Sequence, residues 1–279
     1  MKYVELFPGI SSSVLGFGCA PVLGSVGSTT SKKAIQMALD QGINHFDLAR
    51  SYGFGEAERF VGNFIQSNRK ELVISSKFGI KPNWKAAAFR PMKPLIRTFK
   101  GIVDKQKKVA DHGMKKTAGS PANLFLDRIS INPQNMTDSL HQSLKELKTD
   151  YLDYFFVHEP LESIENLDEL ISTAQSLKKA GKIRALGLSF MRSQWSLHAN
   201  YLNVFDIIQF DNAPNNPDYQ RILEKRSKES NIFFSSIKDC IGISNPEENI
   251  STLHADFPKS VILISMFNPI HILKNVAAI

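Results

Sequence analysis

Cysteine is nearly absent from this 279-residue chain, which carries only Cys19 and Cys240. Two residues so far apart give neither a disulfide framework nor a cysteine-based zinc site, and both are read as packing or loop residues. No apolar run reaches the roughly 18 residues needed to span a bilayer. The N-terminal stretch, with Glu5 breaking its short apolar segment, lacks a signal-peptide pattern. A cytoplasmic, reduced protein away from any membrane is the expectation. Gly16-Phe17-Gly18 has no third glycine and opens no helix, so the phosphate-binding turn of a doubly wound sheet is missing. His45 and Asp47 are spaced to point the same way along a strand, but no second His-x-His and no later acidic or histidine cluster joins them. A metal site is therefore not expected. Acidic residues are scarce between Lys81 and Arg128, where 12 lysines and arginines face 3 aspartates. That local excess exceeds the whole chain's +7, so the basicity belongs to one segment, and nucleic-acid binding by the whole protein is not expected.

What is present is ordinary in amount and regular in order. Apolar residues make up 42% and charged residues 22%, as in a typical globular domain. Short apolar runs alternate with amphipathic ones. Strands are predicted at 15–19, 43–47, 72–77, 152–158, 183–188, 205–210, 231–237 and 261–264. Helices are predicted between them, beginning with one capped by Thr30 or Ser31 and closed by Gly42. Later helices fall near 56–67, 167–179, 192–200, 218–230, 247–254 and 269–277, with another bearing Leu140, Leu144 and Leu147 on one face. Strands buried on both faces read as unbroken apolar runs, and eight such strand–helix units predict a (β/α)8 TIM barrel. An open doubly wound sheet is the other fold this alternation allows. Residues 79–134 break the rhythm, being far longer than a usual strand–helix loop. The prediction is one domain, 1–279, with a long basic insertion after strand three at about 79–134.

Asp47, Lys77 and His158 end the second, third and fourth predicted strands, and Tyr52 lies in the loop after the second. A barrel collects its reactive groups at those strand ends. A phenol titrates near 10, and an ammonium beside it favours its ionised form. Lys77 can supply that charge, Asp47 can hold Lys77, and His158 can donate to a carbonyl oxygen while Tyr52 exchanges the proton. No side chain carries a hydride, so a cofactor must. Taken singly, each residue has a plain structural reading: a strand-end lysine, a hydrogen-bonded histidine, a turn tyrosine and a helix-capping aspartate. Lys77 as a Schiff-base lysine is a competing chemistry, disfavoured by Tyr52 and His158. Asp150 and Asp153 are read as structural anchors.

Three segments carry a family likeness. Residues 42–53 (GINHFDLARSYG), continued by Glu56-Ala57-Glu58, form the first. The second runs from Ser139 through Leu140, Leu144, Leu147 and residues 150–153 to Val157-His158-Glu159-Pro160. The third is residues 181–189 (GKIRALGLS). Together they resemble the aldo-keto reductases over residues 14–279, except for the insertion. The resemblance implies an NAD(P)H-dependent enzyme that reduces an aldehyde or ketone to an alcohol, or runs the reverse. It implies Tyr52 as general acid/base, Asp47 and Lys77 tuning it, and His158 orienting the carbonyl. For the cofactor it implies Asp47 as a contact, Ser189 and Gln209 on the carboxamide, Phe234 stacked on the nicotinamide, Ser235 and Ile237 on the pyrophosphate side, Ser265 and His271 in the last strand–helix loop toward the adenosine phosphate, and Asn275 on the adenine.

Two positions depart from the family pattern. Phe190 stands where an asparagine usually follows Ser189. The loop from Ser265 to His271 has no basic residue before Lys274, although a ribose 2′-phosphate wants one. NADPH is the family default, with Lys238 or Lys274 as its grip, and NADH is the alternative. The chain stops directly after its last helix, so no tail is expected to close over the substrate. A catalytically weak nucleotide-binding barrel, acting as a sensor or regulatory subunit, is the competing function. The insertion has three readings: a solvated loop, a lid bringing Trp84 or Phe89 to the pocket among its aromatics Trp84, Phe89, Phe99 and Phe125, or a docking surface for an acidic protein or an anionic substrate.

Overall fold

The computed structural model describes residues 1–90, 93, 124–237 and 245–279. Phe99, Lys238, Cys240 and the middle of the insertion lie outside these described residues. The chain opens with an antiparallel hairpin, β1 (Tyr3–Phe7) and β2 (Ile10–Ser13), turning at Gly9 with φ of +76°. The barrel strands begin with β3 (Leu15–Gly18), β4 (His45–Asp47) and β5 (Val73–Phe78). A separate antiparallel pair follows, β6 (Ile80–Pro82) with β7 (Leu126–Arg128). The barrel then continues through β8 (Leu152–His158), β9 (Ile183–Phe190), β10 (Ile207–Asp211), β11 (Asn231–Phe234) and β12 (Ser260–Ile264). Its eight strands pair in chain order, all parallel, and β12 closes on β3. The helices are α1 (Ser28–Asp40), α2 (Ala57–Ile65), α3 (Trp84–Phe89), α4 (Pro133–Leu147), α5 (Leu167–Lys179), α6 (Trp195–His198), α7 (Tyr219–Arg226), α8 (Pro246–Asp256) and α9 (Pro269–Ala277). No helix among the described residues is long and apolar enough to cross a membrane.

The predicted eight-unit barrel is therefore present, with local differences. Helix α1 starts at Ser28 behind Gly27 and has no side-chain cap; Ser31 is buried inside it rather than capping it. The helix expected near 192–200 is a broken series, with 3-10 turns at Arg192–Gln194 and Ala199–Val204 around the four-residue α6. The seventh barrel strand stops at Phe234, because Ser235 takes a left-handed φ of +56°. The β1–β2 hairpin was not legible, since the serines of β2 hide its alternation.

Alternation along the strands divides the core in two. Phe17, Phe46, Ile74, Phe155, Leu188, Phe210 and Phe233 point outward and pack under the helices. Val73, Tyr154, Phe156, Ala185, Ile207, Ile232, Val261 and Leu263 fill the barrel, and Leu6 and Ile10 of the hairpin join them from below. Gly187 leaves the room that Phe156 occupies, for a Cβ there would lie 2.2 Å from its ring. His45 belongs to this interior layer. It is stacked on Tyr154 at 5.7 Å between ring centroids, with Nδ1 3.2 Å from Ser12 Oγ. Near the same end, buried Asp153 accepts from the Ile74 amide at 2.9 Å and pairs with Arg69 at 2.9 Å and Arg184 at 3.0 Å.

Two stability predictions follow from these buried groups. Asp153→Ala takes the carboxylate from the Arg69 guanidinium and leaves it Thr149 and the Leu72 and Tyr151 carbonyls, and guanidinium chloride denaturation should show a loss of about 3 kcal/mol, the lower end for removing one partner of a buried pair. Burial lowers the His45 imidazole to about 4, whereas the unfolded side chain titrates near 6.5. Below that value the unfolded chain takes up a proton that the native state refuses, so stability is full above about pH 6.5 and falls toward pH 4. Replacing His45 with Gln should make that decline shallower in denaturation curves recorded from pH 7 to 4.

Candidate active site

The sheet register assembles the site. In the ladders Gly18 pairs with Asp47, Asp47 with Ser75, Lys77 with Phe156, His158 with Ser189, and Ser189 with Gln209. Successive inward positions thus bring Asp47, Lys77 and His158 from three neighbouring strands to the C-terminal mouth. There they line a pocket of about 300 Å³, at the lower end of the size usual for ligand sites. Tyr52 opens a 3-10 turn, Tyr52–Phe54, that folds back over the same mouth.

Lys77 is almost wholly buried and its ammonium is fully used. Nζ lies 2.6 Å from Asp47 Oδ2, donates to the Leu48 carbonyl at 2.8 Å, and reaches the Tyr52 hydroxyl at 3.4 Å. Ser75 Oγ donates to Asp47 Oδ1 at 2.9 Å, and Gln209 Nε2 donates to the same oxygen at 3.0 Å. A desolvated ion pair holds only when its remaining lone pairs and protons are satisfied, and these neighbours satisfy them. The rings of Tyr52 and His158 meet edge to face at 6.0 Å.

The electrostatics differ from the expectation that Lys77 lowers the phenol. Burial pushes Tyr52 well above its usual value, and the negative charges of Asp47 and Glu159 push the same way. Lys77 directs its shortest contact at Asp47. Burial, with help from the positive charges of Lys77 and Arg128, holds His158 well below the ordinary histidine value. The resting site at neutral pH is therefore a protonated phenol beside a neutral imidazole. Burial also raises Glu159, against the opposing pull of Arg128 and Lys77.

Ten of the twelve expected site residues line this one pocket: Asp47, Tyr52, Lys77, His158, Ser189, Gln209, Phe234, Ser235, Ile237 and Ser265. His271 and Asn275 do not. Both lie on α9, His271 exposed and Asn275 buried. Lys274, the alternative phosphate grip, is exposed and sits 3.9 Å from Glu247. Phe190 faces away from the pocket and packs on Trp195, His198 and Phe210. The pocket also includes Gly18, Ala20, Glu159 and Ser236, which sequence reasoning did not single out. Glu159 could have been found from its place directly after His158, and Ser75 from its spacing of two before Lys77. The His45–Asp47 pair does not form one site, because His45 is held a layer deeper.

The wall beside Asp47 suits a nicotinamide nucleotide. Gln209 Oε1 is buried with no hydrogen-bond partner among the described residues, and it can accept from a carboxamide. Gly18 keeps a side chain out of the pocket where the Ser265 hydroxyl donates to its carbonyl at 2.9 Å, and a Cβ there would lie 3.0 Å from that hydroxyl. Ser189, Phe234, Ser235 and Ile237 surround the rest of that wall.

Known proteins point the same way. The aldo/keto reductase family model matches residues 14–199, about two thirds of the chain. The aldo-keto reductase YhdN of Bacillus subtilis is 29% identical over 196 residues, covering 68% of this chain and 47% of that protein. The NADH-specific methylglyoxal reductase of Escherichia coli is 25% identical over 173 residues, covering 60% and 43%. The chain spans about half the length of the curated relatives it matches. Among solved structures, the holo form of an aldo-keto reductase from Bacillus halodurans superposes with a TM-score of 0.70 at 19% identity, over 100% of this chain and 90% of that one. An aldo-keto reductase from Klebsiella pneumoniae in complex with NADPH gives 0.66 at 17% identity, over 99% and 89%. At these identities the structures speak for the fold, while the sequence match from β3 to the end of α6 makes this chain a member of the aldo/keto reductase family.

Proposed function

We propose that residues 1–279 act as one catalytic barrel domain, an NAD(P)H-dependent oxidoreductase that interconverts an aldehyde or ketone with its alcohol. The observation carrying this reading is the buried Lys77–Asp47 pair set 3.4 Å from the Tyr52 hydroxyl, with His158 on the same pocket. The nucleotide, when bound, supplies a hydride to the carbonyl carbon. Ser189 and Gln209 would hold its carboxamide, Phe234 would offer an aromatic face to its nicotinamide, Ser235 and Ile237 would line its pyrophosphate side, and Ser265 would stand toward its adenosine. His271 and Asn275 serve only a more distant adenosine end. NADPH is the first choice, as in the Klebsiella complex, and NADH the second, as in the Escherichia coli relative.

The chain's own residues move the proton. His158, kept neutral, donates a hydrogen bond to the carbonyl oxygen and fixes its direction. As charge develops on that oxygen, Tyr52 Oη delivers its proton there. The phenolate left behind faces the Lys77 ammonium, an interaction that strengthens only as the reaction proceeds, which is where binding energy accelerates a step. Asp47 keeps Lys77 aimed and takes no proton. In the alcohol-oxidising direction Tyr52 receives the proton instead. The pocket accepts a small organic carbonyl, and its outer wall carries the Glu159 carboxylate.

Two measurements test this. Tyr52→Phe should cut reduction across a panel of aldehydes and ketones by at least about 100-fold, the lower range for a general acid, while NADPH binding by fluorescence quenching is retained. Undiminished turnover in that variant rules Tyr52 out as the donor. An unmodified protein that binds nucleotide but reduces no carbonyl ends the reductase reading. Second, the Glu159 charge helps to raise Tyr52, so Glu159→Gln removes a negative charge that favours the protonated phenol. The alkaline limb of kcat/KM for carbonyl reduction should move to lower pH.

A further inference from the structure

Left-handed residues follow the proposed proton donor in an unbroken row: Gly53 at φ +61°, Phe54 at +57° and Gly55 at +84°. Phe54 is the costly member, because only glycine adopts this region without steric penalty. A turn of this kind keeps its shape only if something outside it imposes that shape.

The imposing contacts come from the insertion. Lys93 Nζ donates to the Gly53 carbonyl at 2.6 Å, pairs with Glu56 at 2.5 Å, and lies 4.7 Å from the centre of the Phe54 ring. Lys93 itself is buried, with a relative exposure of 5%. Phe54 is held edge-on by Phe125 at 5.3 Å and Phe89 at 6.0 Å, and those two rings stack on each other at 4.6 Å. Pro82 of β6 closes the other side, so that a Cβ on Gly55 would lie 2.5 Å from its ring. At the far end of the β6–β7 pair, Arg128 Nη1 donates to the Glu159 carbonyl at 2.5 Å, one residue beyond His158. The pair therefore reaches from the Tyr52 turn to the His158 loop. Among the described residues Trp84, Phe89 and Phe125 lie outside the pocket lining, and Phe89 and Phe125 pack on Phe54 instead.

We propose that the insertion after β5 is a brace for the catalytic turn, in which Lys93 and the Phe54–Phe89–Phe125 cluster are positioning residues that fix Tyr52 relative to Lys77 and His158. They touch neither substrate nor cofactor and act through the backbone of residues 53–55. This rests on the reading of Tyr52 as proton donor.

The test compares Lys93→Met, which keeps the apolar stem, with Lys93→Arg, which keeps the charge and donors. For carbonyl reduction, Lys93→Met should lower kcat at least tenfold while KM and the NADPH dissociation constant by fluorescence quenching change less than twofold. Lys93→Arg should recover most of kcat. Trp84→Ala, at an exposed position on the same insertion, should leave kcat unchanged. A second readout needs no turnover. With tyrosine labelled at its ζ carbon, the Tyr52 resonance, assigned through Tyr52→Phe, should shift in Lys93→Met while the other five tyrosines stay in place. Phe125→Leu should move the same resonance and serves if Lys93→Met does not fold. Unchanged kcat together with an unmoved Tyr52 resonance overturns the brace, as does equal damage from Lys93→Arg and Lys93→Met. If the unmodified protein reduces no carbonyl, the functional reading fails, and the resonance still decides whether the brace holds the turn.

Discussion

A single buried charge, the Lys77 ammonium, sets the terms for everything around it. Removing an ammonium from water costs several kcal/mol unless it is paired and its protons are all directed. Here that requirement recruits Asp47 from β4, the Leu48 carbonyl and the Tyr52 hydroxyl. Asp47 in turn recruits Ser75 from the strand of Lys77 itself and Gln209 from β10. Each needs its strand in register, because a slip of one residue would turn these side chains out among the helices. The chemistry of the mouth and the correct closure of the barrel are thus one constraint.

Burial sets the protonation of the neighbours, and the charges around them act in the same direction. Two positive charges near His158 reinforce burial in keeping its ring neutral, and two negative charges near Tyr52 reinforce burial in keeping its hydroxyl protonated. Both effects favour a donor state at rest. The sequence suggested the opposite sign for Tyr52, since an adjacent lysine held by Asp47 is easy to see and the burial that outweighs its charge is not. Distance and burial decide that sign, and neither is written in a chain of letters.

Much else was legible for identifiable reasons. Strands such as Leu152–His158 announce themselves as unbroken apolar runs, and α9 at Pro269–Ala277 begins on a proline behind a capping Asn268. Polar residues that interrupt apolar strand ends, Asp47, Lys77 and His158, are conspicuous because burial there is expensive. The role of Phe190 was not legible, because its meaning depends on which face of β9 it takes. Its outward packing on Trp195 and Phe210 leaves the pocket wall to Ser189. The hairpin β1–β2 was hidden by its serines. The interlock of the insertion with the turn at residues 53–55 was hidden because its members, Phe54, Pro82, Lys93 and Phe125, are scattered in sequence and share no periodicity.

The hairpin at the start of the chain has a consequence for exchange with solvent. Leu6 and Ile10 enter the barrel from the N-terminal end and pack against its interior residues. The barrel interior, already filled by its own side chains, is therefore closed to solvent at that end as well. The pocket that Asp47 and Lys77 line lies at the opposite end, at the C-terminal ends of the strands. The two antiparallel pairs outside the barrel thus sit at its two ends, β1–β2 packed on the interior and β6–β7 tied through Arg128 to the Glu159 carbonyl beside the pocket.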